Sequence, residues 1–63
     1  MTKAYKDYTI TPRQNCDGWF NIFKGNTSMG FATDEQSARQ AIWIDLGKPD
    51  YQITDEMMEV IKP

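Results

Sequence analysis

The chain has 63 residues, a formal net charge of −2, one cysteine and no histidine. Cys16 therefore has no disulfide partner within the chain, and a zinc site, which is usually built from cysteine and histidine, is nearly excluded. We expect residues 1–63 to form one small domain. A domain of this size buries only about 60% of the surface of its unfolded chain, so its stability must come from its own core or from self-association.

Several classes of function lack their usual signals in this sequence. No stretch is long or apolar enough to span a bilayer, and the first residues lack the apolar run of a secretion signal. We therefore expect a cytoplasmic protein without membrane contacts. There is no glycine-rich phosphate loop, and the carboxylates lack the spacing of a calcium loop. We expect no cofactor, no metal site and no catalytic residues, and predict that the protein is not an enzyme.

The first half of the chain predicts a three-stranded antiparallel sheet. Residues 5–11 form the first predicted strand, because Tyr8 and Ile10 alternate with Thr9 and Thr11, and Pro12 marks its end or an edge strand. An Asp-Gly pair then predicts a turn before residues 19–24, the most apolar segment. A Gly-Asn pair marks the next turn, and residues 28–32 form the third predicted strand.

Residues 34–46 carry the clearest helix signals. Thr33 or Asp34 can accept hydrogen bonds from the free amides of the first turn, and Gly47 can adopt the left-handed conformation that closes a helix. The apolar positions at helical spacing are Ala38, Ala41 and Ile42. This stripe predicts that the helix packs on one face of the sheet.

Residues 55–61 are predicted to form a short C-terminal helix, with Thr54 as its cap. A fourth strand is the alternative, because Ile53 and Val60 are β-branched. The predicted fold class is thus α+β, with a three-stranded antiparallel sheet on one helix and a short helix at the C-terminus.

The second predicted strand is apolar on both sides. Side chains alternate along a strand, so Phe20 and Ile22 point one way while Trp19, Asn21 and Phe23 point the other way. Because Asn21 interrupts its row, we place Phe20 and Ile22 against the helix. The row with Trp19 and Phe23 then needs a second cover. Three covers remain open: the C-terminal segment, a second copy in a homodimer, or a foreign ligand.

The junction from the third strand into the helix, residues 30–41, contains Gly-Phe, a threonine and three alanines, and a Gly-Trp pair stands at the start of the second strand. Together these residues resemble the strand-to-helix unit of AP2-type plant DNA-binding domains and of the arm-binding domains of phage and transposon integrases. The resemblance spans about residues 18–44. It implies a sheet that lies in the major groove of DNA, and carried onto this chain it points to Arg13, Trp19, Asn21 and Lys24. The acidic charge of the chain argues against that function, because phosphate contacts need clustered lysine and arginine.

We therefore predict a small, acidic protein–protein interaction module, such as a regulator, an inhibitor or an accessory factor, with phage-encoded proteins among its candidate sources. Its partner is another protein or a second copy, and it uses an aromatic face of the sheet. Two roles are open for Trp43. It contacts Tyr51 or the predicted C-terminal helix within the chain, or it anchors an interface with a partner. The alternative function is nucleic-acid binding through the three-stranded sheet. The predicted partner-binding residues are Trp19, Asn21, Phe23, Trp43, Arg13 and Lys24.

Overall fold

A computed structural model describes residues 1–61, and residues 62 and 63 lie outside this description. The elements in chain order are β1 (Thr2–Tyr5), β2 (Tyr8–Pro12), β3 (Phe20–Lys24), β4 (Thr27–Ala32), α1 (Glu35–Asp45), a 3₁₀ turn (Asp55–Met57) and β5 (Glu59–Ile61). The strands form one five-stranded antiparallel sheet in the order β4-β3-β2-β1-β5. The α+β class is confirmed, and the number of strands is corrected from three to five.

The first predicted strand, residues 5–11, is in fact a hairpin turn followed by β2. Tyr5 ends β1 and pairs with Tyr8 at the start of β2, so only two residues connect the strands. Lys6 occupies this turn with a φ of 54°. Lysine seldom adopts a positive φ, and glycine or asparagine usually marks such turns, so the sequence carries no clear turn signal here.

The predicted C-terminal helix over residues 55–61 is wrong, and the alternative of a further strand is closer. Thr54 does precede a helical turn, but the turn ends at Met57 after three residues. Glu59–Ile61 then pairs with β1 as the outer strand of the sheet. The free edge of β1 supplies backbone hydrogen-bonding partners, and the β-branched residues at the end of the chain suit a strand.

The helix begins and ends where its signals predict. Asp34 is the N-cap, and its carboxylate accepts a hydrogen bond of 2.6 Å from the Ser37 backbone N–H. This bond is the main reason that the pKa of Asp34 lies below its ordinary value. Gly47 follows the last turn with a φ of 91°, which a residue with a Cβ atom rarely adopts.

The core lies between α1 and one face of the sheet. Ile42 and Ala38 of α1 are fully buried there. They face Ile10 and Ile22 of the central strands, with Phe20 at the margin, as predicted. The C-terminal segment after α1, which we call the tail, also contributes to this core, because its Met58 side chain is buried there. The C-terminal segment therefore covers the helix side of the sheet, not the side that carries Trp19 and Phe23.

Ion pairs and hydrogen bonds connect the sheet to α1 around the rim of this core. The Tyr8 hydroxyl donates to Asp45, whose carboxylate also lies 3.5 Å from the Lys24 ammonium. At the opposite end of α1, the Lys3 ammonium lies 2.6 Å from the Glu35 carboxylate and 2.5 Å from that of Asp55. Because of these two carboxylates, Asp55 first, the pKa of Lys3 is raised.

The core predicts a strong contrast between two neighbouring isoleucines of α1. Ile42→Ala should lower the free energy of unfolding by about 2–5 kcal/mol, because it leaves a cavity at a fully buried site. Ile44 is 51% exposed, so Ile44→Ala should change stability by no more than about 0.5 kcal/mol. Urea denaturation of both variants measures the difference. Equal losses would contradict the assigned helix face.

Asp45 predicts a specific response to acid. The hydrogen bond from Tyr8 and the charge of Lys24 hold the pKa of Asp45 below its ordinary value of 3.8. A lowered carboxyl pKa stabilises the folded state above the unfolded-state value, and that contribution is lost as the pH falls through the folded-state pKa. Asp45→Asn should therefore flatten the loss of stability below pH 3.8. The measurement is a series of urea titrations from neutral to acidic pH.

Tyr8→Phe provides the matched control, because it keeps the ring in the core and removes only the hydroxyl that donates to Asp45. The same part of the acid response should shrink in this variant. Parallel stability curves for the wild type and both variants would rule out the Tyr8–Asp45 contact as its source.

Candidate interaction surface

The face of the sheet opposite α1 has no chain segment folded over its aromatic end within residues 1–61. We call it the open face and assign side chains to it from the strand register. In one row, Thr11 pairs with Asn21, and Asn21 pairs with Phe31. In the next row, Thr9 pairs with Phe23. These residues alternate with the buried Ile10 and Ile22, so their side chains point away from the helix.

A stacked aromatic pair is the main feature of this face. The rings of Trp19 and Phe31 are nearly parallel, with an interplanar angle of 5° and 5.1 Å between their centroids. Phe31 is nonetheless 53% exposed. The pair is thus held together by stacking while the Phe31 ring remains open to solvent.

Arg13 completes this cluster from the end of β2. Its guanidinium carbon lies 4.7 Å from the Phe31 ring centroid and 6.0 Å from that of Trp19. The backbone positions it, because the Arg13 N–H donates to the Trp19 carbonyl over 2.8 Å at the base of the connecting loop. We call Arg13, Trp19 and Phe31 the Arg-aromatic cluster. Stacking of a guanidinium on aromatic rings is favourable and leaves its N–H groups accessible at the edge.

The structure brings four of the six predicted partner-binding residues to the open face. Arg13 and Trp19 belong to the cluster, and Asn21 and Phe23 lie beside it, partly exposed. Phe31 was not among the predicted residues, although it contributes the most exposed ring. Phe31 lies in the same row as Asn21 because the two residues pair. That pairing depends on a β-bulge in β4, which the sequence pattern does not indicate.

Lys24 and Trp43 lie elsewhere. Lys24 follows the same alternation as Ile22, so its side chain reaches Asp45 on the helix side. The indole N–H of Trp43 donates to the carbonyls of Pro49 and Tyr51, at 3.0 and 2.7 Å. This observation agrees with the reading in which Trp43 contacts the segment containing Tyr51. It also means that the polar edge of the indole is occupied within the chain.

Charge is distributed unevenly between the two sides of the sheet. On the helix side, Lys3, Lys24 and Arg39 each lie within 4.0 Å of a carboxylate. On the open face, Arg13 has no ion pair with any residue in the described range of 1–61. Glu59, which pairs with Ala4 in the sheet, carries the opposite charge at the far edge of this face.

Residues 1–61 contain no group of three or more cysteine, aspartate or glutamate side chains that could hold a metal ion. In the same part of the chain, no helix combines the length and the apolar character that crossing a membrane requires. Comparison with protein-family models, curated proteins and solved structures gives no match to this chain. Residues 1–61 form a small α+β domain with one α-helix on a five-stranded antiparallel sheet.

The contacts of Trp43 predict a mainly structural role for its N–H group. Trp43→Phe keeps an aromatic ring beside the core and removes the hydrogen bonds to Pro49 and Tyr51. The indole has a single N–H that the two carbonyls share, so the variant should lose about 1 kcal/mol of unfolding free energy. Urea denaturation followed by far-UV circular dichroism measures this loss. Unchanged stability would mean that the two bonds do not hold the segment after the helix.

Proposed function

We propose that this protein is a non-enzymatic protein–protein interaction module that binds its partner through the open face. The observation that carries the proposal is the exposure of Phe31 in a stacked pair with Trp19. Aromatic residues and arginine are enriched in interface centres, and a partner that covers Phe31 would remove its ring from water. The partner is a different protein or a second copy of this chain, and the role is that of a regulator, an inhibitor or an accessory factor.

The side chains that make up the open face support this proposal. Asn21 and the threonines of β1 and β2 lie on one side of the aromatic residues, and the Thr2 and Thr11 hydroxyl groups lie 3.4 Å apart. An apolar centre with a polar margin is the usual composition of protein interfaces. Phe23 extends the apolar area along β3, next to the row that contains Asn21 and Phe31.

Nucleic-acid binding through the sheet is the second candidate. The Arg-aromatic cluster favours it, because bases stack on aromatic rings and arginine contacts phosphates. The charges argue against it. Lys24, one of the basic residues implied by the DNA-binding resemblance, pairs with Asp45 on the opposite side of the sheet. The net charge of −2 further weakens attraction to a phosphate backbone.

A pair of matched variants tests the proposed function. Phe31→Ser removes an exposed ring from the open face, whereas Ile44→Ser removes a similarly exposed apolar side chain from α1. Neither should unfold the protein, because both side chains are more than half exposed. We expect proteins captured by the wild type to be kept by Ile44→Ser and lost with Phe31→Ser. Quantitative mass spectrometry of the captured proteins gives the comparison.

Two additional measurements complete the test. Sedimentation of the wild type and Phe31→Ser detects self-association through the same face. Titration with duplex and single-stranded DNA at about 50 mM salt tests the second candidate, because backbone contacts are strongest at low salt. The proposed function fails if Phe31→Ser keeps every captured protein and the oligomeric state of the wild type.

A further inference from the structure

We propose that the Arg-aromatic cluster recognises a carboxylate in an acidic segment of the partner protein, next to an apolar residue of that segment. This inference rests on the proposed function and adds the chemistry of the partner. The carboxylate would accept hydrogen bonds from the Arg13 guanidinium, and the adjacent apolar side chain would cover the exposed ring of Phe31.

Arg13 differs from the paired cations on the other side of the sheet. Lys24 lies 3.5 Å from Asp45, and Arg39 lies 3.4 Å from Glu35. The side chain of Arg13 makes no hydrogen bond or ion pair within residues 1–61. Its guanidinium N–H donors are therefore available for an acceptor from outside this part of the chain.

The position of Arg13 is also set before any partner binds. The guanidinium carbon lies 4.7 Å from the Phe31 ring centroid and 6.0 Å from that of Trp19, and the hydrogen bond between the Arg13 N–H and the Trp19 carbonyl fixes the backbone. A long side chain that is already held loses less conformational entropy when it binds. The planar guanidinium fork matches a carboxylate with two parallel hydrogen bonds.

A protein carboxylate fits this surface better than a nucleic-acid phosphate. A nucleic acid presents a row of phosphates and needs several cations in line, whereas the register assigns Glu59 to the same face as Arg13. One carboxylate beside one apolar side chain matches one guanidinium beside one exposed ring. The surrounding threonine and asparagine side chains can hydrogen-bond the peptide backbone without favouring either charge.

Selection from a displayed library of random peptides of about ten residues tests this chemistry. The wild type should enrich aspartate or glutamate next to leucine, isoleucine or phenylalanine. In the best peptide, replacing its acidic residue by the matching amide should weaken binding roughly 10–100-fold, as expected for loss of a charge-assisted hydrogen bond. This peptide-side change leaves the protein unaltered, so the result does not depend on the folding of a variant.

Variants of Arg13 identify the group that recognises the acid. Arg13→Gln should weaken binding of the acidic peptide by the same factor, and it should leave binding of the amide analogue unchanged. Arg13→Lys should restore only part of the affinity, because an ammonium cannot form the planar fork. Raising the salt concentration from about 50 to about 500 mM should weaken wild-type binding and have little effect on Arg13→Gln.

The outcomes separate this inference from the proposed function. The selection could yield apolar peptides that lack an acidic residue and that Phe31→Ser no longer binds. That result would overturn the carboxylate inference and support the proposed function. Acidic peptides that bind Arg13→Gln and Phe31→Ser as tightly as the wild type would contradict both. Failure to select any peptide, or binding of DNA oligonucleotides in their place, would overturn the inference as well.

Discussion

The sheet is apolar on both faces, while α1 and the tail cover only one of them. This constraint determines most of the molecule. Ile10 and Ile22 face the helix and form the buried core with Ile42. Side chains alternate along β3, so Phe23 points to the open face. Phe31 of β4 points the same way, because it pairs with Asn21. The exposed aromatic cluster is thus a direct consequence of strand alternation in a chain with one helix.

The helix side is completed by ion pairs and hydrogen bonds between the sheet and the segments packed on it. Tyr8 donates to Asp45, Lys3 contacts carboxylates from both α1 and the 3₁₀ turn, and Trp43 binds carbonyl groups of the segment after the helix. These contacts hold α1 and the tail on the sheet. The Arg13 side chain, in contrast, lies against two aromatic rings and makes no ion pair within residues 1–61. The difference between the two sides is the physical basis of the proposed function.

Local signals predicted the parts of the fold that local physics determines. Asp34 and Gly47 marked the ends of the helix, since capping and left-handed closure depend on a few adjacent residues. The division of β3 into two faces followed from alternation. The hairpin at Lys6 was missed because a positive φ at lysine leaves no compositional signal. β5 was only the alternative to a helix, because its pairing with β1 joins segments far apart in the sequence.

The candidate site shows the same limit. Alternation alone would have placed Lys24 on the helix side with Ile22, but the family resemblance grouped it with Arg13. Phe31 required the register between β3 and β4, including a bulge that shifts the pairing. Arg13 was chosen for its charge, whereas its stacking on Phe31 depends on side-chain positions that no sequence pattern specifies.

The most direct measurement is the solvent exposure of individual side chains by nuclear magnetic resonance with a soluble paramagnetic probe. It requires a protein concentration at which the chain is a monomer. Protons of Phe31 and Phe23 should relax strongly, while those of Ile10 and Ile22 should be protected. Protection of both groups in the monomer would contradict an uncovered second face.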